Sequence, residues 1–241
     1  MDTLLEVEDL HKSFSGLRAV QGVTFAIPEG AIFAVIGPNG AGKTTLFNVI
    51  AGVFPPDAGT IRFAGERIDG RTPDEACRRG IARTFQIVRP FPALTVEENV
   101  VVGTLLRRHD VAAARAAATD VLKRLDLYDK RHQRASALTL PDRKRLEVAR
   151  ALATEPKLLL LDETMAGLRP TETDRMVAIL RTLNRETGLT ILLIEHVMRA
   201  VMALASRILV LHHGAPIAEG TPEEVVRHPA VLSSYLGAEA L

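Results

Sequence analysis

The chain has 241 residues, 47% hydrophobic and 24% charged, which excludes intrinsic disorder as its main state and supplies enough apolar residues for a sizeable core. Thirty Lys and Arg stand against 29 Asp and Glu, a formal charge of +1, so the chain as a whole is not an electrostatic nucleic-acid binder. Cys77 is the only cysteine, which excludes an internal disulfide and a cysteine-based zinc site.

The start of the sequence lacks the basic and apolar stretches of a signal peptide, and no apolar run approaches the ~18 residues of a membrane span. The expectation is a cytosolic chain whose contact with a membrane runs through a partner. In chain order, Leu4–Leu10 alternates as a strand, Val23–Ile27 is short and apolar, and Ala31–Ile36 has the near-continuous apolar character of a buried strand. A glycine-rich turn, Gly37–Gly42, leads into a predicted helix over Lys43–Ala51 that Gly52 closes. Pro55–Gly59 predicts a turn, Thr60–Phe63 a strand, and Ile81–Phe85 a further short strand with Gln86 at its end. Thr72-Pro73-Asp74-Glu75 and Thr95-Val96-Glu97-Glu98 are capping boxes, each opening a helix. Asp110–Leu127 is alanine-rich and helical, and Pro141–Thr154 is a helix with proline at its start. Residues 92–155 therefore look like a helical insertion in an α/β frame. Beyond them, strands at Lys157–Leu161, Leu189–Ile194 and Arg207–Leu211 alternate with helices at Thr171–Thr187 and Val197–Ala205, which predicts a parallel sheet covered on both faces. A third capping box at Thr221–Glu224 opens a helical tail.

The motif Gly37-Pro38-Asn39-Gly40-Ala41-Gly42-Lys43-Thr44 matches G-x-x-x-x-G-K-[ST] in full. Chance supplies such a match in roughly one per cent of chains of this length, and here it also lies between a predicted strand and a helix. Glycines allow backbone N–H groups to turn inward around phosphate oxygens, and the helix that follows adds its positive end. Lys43 places a cation at the β- and γ-phosphates, and Thr44 offers a hydroxyl to Mg²⁺. Leu158–Leu161 then delivers Asp162 and Glu163 to a strand end, where open parallel sheets bind ligands. Such a strand is commonplace alone; behind a phosphate cradle it assigns Asp162 to the metal shell and Glu163 to the attacking water. Gln86 and His196 each follow a strand of the same predicted sheet. The Gln86 amide can touch both water and metal, and His196 can donate to the γ-phosphate.

Cradle, Gln86, a segment before the Pro141 helix that corresponds to LSGGQ, Asp162-Glu163 and His196 occur in this order over essentially the whole chain. Together they resemble the nucleotide-binding subunit of ATP-binding cassette (ABC) transporters. The resemblance implies one domain over 1–241 with a RecA-like P-loop core. Residues 1–91 would hold an antiparallel β subdomain and the P-loop part of the core, 92–155 a helical subdomain, 156–220 the rest of a mainly parallel sheet, and 221–241 the tail. It implies ATP and Mg²⁺, with Gly37 to Thr45 around the nucleotide, Phe14 stacking on adenine, Val20 packing the base, and Thr44, Gln86 and Asp162 around the metal. It also implies two cassettes closing head-to-tail over two ATP molecules to drive membrane-spanning permease subunits, at the cytoplasmic face of the membrane. Arg83-Thr84-Phe85-Gln86, Arg89-Pro90-Phe91, Leu94–Asn99, Ile194-Glu195-His196 and Ser234-Tyr235-Leu236-Gly237 are similar to ATPases of branched-chain amino acid importers and their urea and amide relatives. Those importers pair two different cassettes and receive solute from a binding protein; a pair of identical chains is the alternative.

The pattern breaks at Leu138-Thr139-Leu140-Pro141-Asp142, where LSGGQ is usual. Leu140 and Pro141 replace both glycines, Pro141 has no N–H to donate, and Asp142 brings a negative charge toward a partner's γ-phosphate or else caps its helix. Thr164 replaces a usual proline, and Arg169 replaces the Asp or Asn of a dimer-contacting loop. Arg78-Arg79 and Arg143-Lys144-Arg145 suit a solvated face, or contact with membrane subunits or lipid phosphates. Ile87–Ala93 is the region that meets the membrane subunit in the resembling family. Two other classes compete. A soluble cassette acting on DNA or ribosomes is disfavoured by single-cassette length and near-neutral charge. A P-loop kinase is disfavoured by Glu163 beside Asp162, which favours water as acceptor.

Overall fold

The computed structural model describes residues 2–86 and 88–236. Ile87 of the predicted membrane-subunit segment lies outside the described residues, as do Gly237 and the remainder of the tail to residue 241.

Two sheets form the frame. The first is antiparallel and contains β1 (Thr3–Phe14), β2 (Leu17–Pro28), β4 (Ala58–Phe63) and β5 (Glu66–Arg67), in the order β2-β1-β4-β5. The second contains β3 (Ile32–Ile36), β6 (Ile81–Arg83), β7 (Leu158–Asp162), β8 (Thr190–Ile194), β9 (Arg207–His212) and β10 (Ala215–Gly220), in the order β10-β9-β3-β8-β7-β6. Its neighbours run parallel except at β10, which closes one edge antiparallel to β9.

The apolar runs of the second sheet are continuous because both faces are covered, and the period of two divides them between two cores. Ile32, Ala34, Leu159, Leu161, Ile191 and Leu193 pack on the side of α5 (Leu140–Leu152), α6 (Pro170–Thr187) and α7 (Met198–Leu204). Phe33, Val35, Leu158, Leu160, Leu192 and Ile194 face the antiparallel sheet and α1 (Lys43–Ile50). Each fully buried aliphatic side chain contributes about 1.5–3 kcal/mol. In the register, Asp162 pairs with Ile194 and Val35 also pairs with Ile194, so β3, β7 and β8 end together on one side of the sheet.

All three capping boxes form, opening α2 (Pro73–Arg79), α3 (Val96–Thr104) and α8 (Pro222–Val225). Asp110 caps α4 (Val111–Arg124) by accepting from Ala113 N. The tail helix divides into α8 and α9 (Pro229–Leu236), with Pro229 opening the second piece.

The hairpins exceed what hydrophobic alternation predicts. β1 and β2 each extend to 12 residues, and β5 and β10 have no counterpart in the predicted elements. All three hairpins turn on two residues at positive φ: Ser15-Gly16, Ala64-Gly65 and His213-Gly214. The strand expected over Ile81–Phe85 instead stops at Arg83. Thr84 N still donates to Leu160 O, and the chain then leaves the edge, so Gln86 stands on a loop beyond the strand rather than at its end.

Candidate active site

Where β3 ends, Gly37–Gly42 wraps back toward α1, and at two positions only glycine fits. Gly37 has φ +149°, and a Cβ there would stand 2.1 Å from Leu211 O; Gly42 has φ +97°, and its Cβ would stand 2.1 Å from Ala19 O. The Lys43 ammonium is buried inside this loop and donates to Gly37 O at 2.8 Å and Pro38 O at 2.9 Å. Burial lowers its pKa, opposed by the charges of Glu163 and Asp162. Thr44 is exposed at the first turn of α1.

A cleft of about 580 Å³ opens over this loop, lined by Asn39 through Thr45 together with Phe14, Gln86 and Glu163. The volume falls within the range of small-molecule sites. Phe14, 38% exposed, rests edge-on against Phe54 at 5.1 Å, which leaves ring surface open to the cleft. Val20, expected to pack a base, instead lies in the core at 1% exposure and does not line the cleft. Strand alternation explains the difference: Ala19 faces the cleft, so Val20 takes the opposite side. Leu17, Arg18 and His213 also line the cleft. Leu17 and Arg18 follow one hairpin turn and His213 lies in another, and no local motif marks them.

Asp162 lies buried below the cleft at the end of β7. Its Oδ2 is 3.5 Å from Arg83 Nη2, and Arg83 Nη1 donates to Asn48 Oδ1 at 2.7 Å. Burial pushes the Asp162 carboxyl up, and the Arg83 charge works against it. Asp162 Oδ1 has no hydrogen-bond partner. An orphaned buried carboxylate oxygen at the end of β7 and an exposed Thr44 hydroxyl on the phosphate loop are hard-oxygen donors of the kind Mg²⁺ takes, with few protein ligands and the rest from phosphate and water. No group of three or more His, Cys, Asp or Glu converges among the described residues.

Glu163 is the meeting point. Its Oε2 accepts from Gln86 Nε2 at 2.7 Å, and its Oε1 is 4.0 Å from Nδ1 of the exposed His196. Its backbone is left-handed, φ +47°, an uncommon conformation for a non-glycine residue. Its N–H donates to Ile194 O at 2.9 Å, and its carbonyl accepts from Lys144 Nζ at 3.0 Å. The fold thus brings Gln86, Glu163 and His196 together at the mouth of the phosphate loop.

Two expectations for the segment before α5 are corrected. Thr139, not Asp142, is the N-cap of α5. Asp142 is 2% exposed and accepts from Lys130 Nζ, Arg145 Nη2 and the Thr139 hydroxyl, so its charge is neutralised within the chain rather than presented to a partner. Burial raises its carboxyl, but the hydrogen bonds from Lys130, Thr139 and Arg145 outweigh that and hold it below the ordinary carboxylate range. Nor is Arg143-Lys144-Arg145 a solvated or lipid-facing patch. Arg143 is exposed, but Lys144 and Arg145 are buried. Arg78 and Arg79 lie near Asp74 and Glu66 in ion pairs. Thr164 and Glu195 are buried, and Thr164 Oγ1 and Glu195 Oε2 lack partners.

A family model described as ABC transporter matches residues 20–166, and one described as branched-chain amino acid ATP-binding cassette transporter matches residues 215–240. The high-affinity branched-chain amino acid transport ATP-binding protein BraF of Pseudomonas aeruginosa is 40% identical, over 97% of this chain and 98% of its own. The corresponding protein LivG of Escherichia coli is 39% identical over the same shares. A solved nucleotide-free ATP-binding cassette from an ABC transporter superposes with a TM-score of 0.88 at 30% identity, covering 97% of this chain and 99% of that one.

Proposed function

This chain belongs to the ABC transporter family, and we propose that it is the Mg²⁺-dependent ATPase subunit energising an importer of branched-chain amino acids or related small amides or urea. The convergence of the Gln86 amide and His196 on the Glu163 carboxylate, at the mouth of the phosphate loop, carries this reading.

Each residue has a role that follows from its place. The Phe14 ring offers a face to adenine. The loop amides and the N-terminus of α1 receive phosphate oxygens, and Lys43 exchanges its two carbonyl partners for the β- and γ-phosphates. Thr44, Asp162 and Gln86 are the residues that would hold Mg²⁺, which when bound would supply charge neutralisation on those phosphates. Glu163 accepts the proton of the attacking water at Oε1, while the Gln86 amide holds Oε2 and fixes the orientation of the carboxylate. His196 donates to the γ-phosphate from the rim.

The loop after Gln86 supports a link to permease subunits. Phe91 exchanges two hydrogen bonds with the buried Asn99 of α3, and Arg150 of α5 donates to Arg89 O at 2.8 Å. Beside it, Phe85 is exposed over an apolar groove of about 450 Å³ lined also by Val53, Cys77 and Ala151. A cytoplasmic segment of the permease seated there would sense the position of Gln86. Among the described residues no helix is long and apolar enough to cross a membrane. A peripheral position at the cytoplasmic face, beside permeases and a second cassette, follows from this reading.

The test is recovery of tagged Glu163→Gln protein from native membranes in the presence of ATP. The substitution should slow turnover by about 10²–10⁴-fold while keeping ATP bound. Copurification of a second cassette with multi-span membrane subunits is the expected result. Recovery of only soluble protein, ribosomes or DNA would overturn the transporter reading.

A further inference from the structure

Among the buried cations of the described residues, one that the mechanism does not use bonds to the backbone of the candidate catalytic residues. Lys144 lies on α5, five residues beyond the N-cap Thr139, and is 5% exposed. Its ammonium crosses from the helical side to the catalytic loop. It donates to Glu163 O at 3.0 Å and lies 3.5 Å from Gln86 O. Both contacts are to main-chain carbonyls, so Lys144 acts on the course of the backbone and leaves the reactive side chains free.

That backbone needs holding. Glu163 is left-handed at φ +47°, a conformation that costs about 1 kcal/mol or more unless its surroundings fix it. The Ile194 carbonyl holds the N–H side of the residue, and its carbonyl accepts from Lys144 Nζ and, at 3.2 Å, from Ala166 N within the same turn, so Lys144 is the one side chain that ties it to α5. A primary ammonium suits the task, with three donors on a flexible stem that can serve two carbonyls at once. Burial lowers the pKa of this ammonium, and nearby acids oppose that only in part, Glu195 before Glu163, Asp162 and Glu147.

From this arrangement we infer that Lys144 is the positioning residue that sets the conformation of Glu163 and Gln86 and makes it depend on how α5 is seated. The inference rests on the ATPase reading above. Because α5 starts at the segment Leu138–Asp142, which in a head-to-tail pair would face the other subunit's nucleotide, a shift of that segment reaches this chain's own water-activating carboxylate through one side chain. Arg145 and Asp142, bonded to each other on the first turns of α5, make this end of the helix move as a unit.

The experiment compares full-length wild type, Lys144→Gln and Lys144→Arg. Steady-state turnover is resolved into kcat and KM, binding of a fluorescent ATP analogue is titrated, and backbone hydrogen exchange of residues 158–168 is followed without nucleotide. Lys144→Gln should lower kcat about tenfold or more, since a small misplacement of a reacting group costs up to about 10²-fold. Analogue affinity and KM should stay within twofold, and exchange in 158–168 should quicken. Lys144→Arg, which keeps donors and charge, should recover kcat to within about threefold. The role of Lys144 is overturned if Lys144→Gln keeps its kcat, if kcat and analogue affinity fall together, or if arginine fails to rescue while the protein stays folded. A wild type that binds the analogue but turns over no ATP overturns the ATPase reading and this inference with it.

Discussion

Gly42 shows how far one backbone angle commits the site. Its φ of +97° turns the chain from the phosphate loop into α1, while Ala19 O closes the space where a side chain would start. Gly42→Ala therefore combines a left-handed backbone with a main-chain clash that no rotamer relieves. The expected outcome is a destabilisation of about 2–3 kcal/mol, read by denaturant titration, with loss of ATP-analogue binding. A variant that binds the analogue as wild type does would show that the loop has another way round Ala19. This position was legible in the sequence because the phosphate-loop pattern is local. Val20 and Asp142 were not, because strand alternation beside a cleft and the arrival of Lys130 from another segment decide where those side chains point. Lys144 lay in plain view as the centre of a basic triplet, and only tertiary packing reveals it as buried.

At the scale of the element, α5 is held by a charged cluster instead of by its apolar face alone. Asp142 joins Lys130, Thr139 and Arg145, and Arg145 Nη1 donates to Asp126 O at 3.1 Å beyond the end of α4. Removing one member of a buried ionic cluster leaves the rest uncompensated. Asp142→Ala should destabilise the chain by about 3 kcal/mol at neutral pH. The pH dependence has a definite sign. A carboxyl held below its ordinary value of 3.8 stabilises the fold in full above that value, and the contribution is lost as pH falls through the lower folded-state pKa. The stability curves of wild type and Asp142→Ala should thus lie apart at pH 7 and converge in acid; a constant gap at every pH would exclude the ionic explanation. Elements were legible in the sequence wherever a local rule governs them, as in the three capping boxes and the apolar strands β3, β7 and β8. β5, only two residues long, and the short edge strand β10, with proline and glycine within its six residues, carry no such pattern, and their pairing depends on Ala64-Gly65 and His213-Gly214 turning with positive φ.

For the molecule as half of a head-to-tail pair, the two nucleotide sites are unequal in what this chain gives them. To its own site it gives the full loop around Lys43, with Asp162, Glu163 and His196. To the other site it gives Leu138–Asp142, where Pro141 has no N–H, Leu140 exposes an apolar side chain, and the Thr139 hydroxyl is already donated to Asp142. Anion binding at a helix start depends on free N–H groups and hydroxyls, so this surface is a poor receiver for a γ-phosphate. If the second cassette is a different chain with an intact signature, catalysis concentrates at the site built on Lys43. In the complex reconstituted with its permease subunits, Glu163→Gln should then abolish most ATP turnover and solute uptake. The equivalent glutamate substitution in the other cassette should leave most of both. Equal losses from the two substitutions would count against this asymmetry and would mean that the segment, despite Pro141, supports its neighbour's ATP as well as LSGGQ does. If the pair is two copies of this chain, the sites are identical, each completed by the poor surface, and replacing Leu140 and Pro141 with glycine should raise turnover at both.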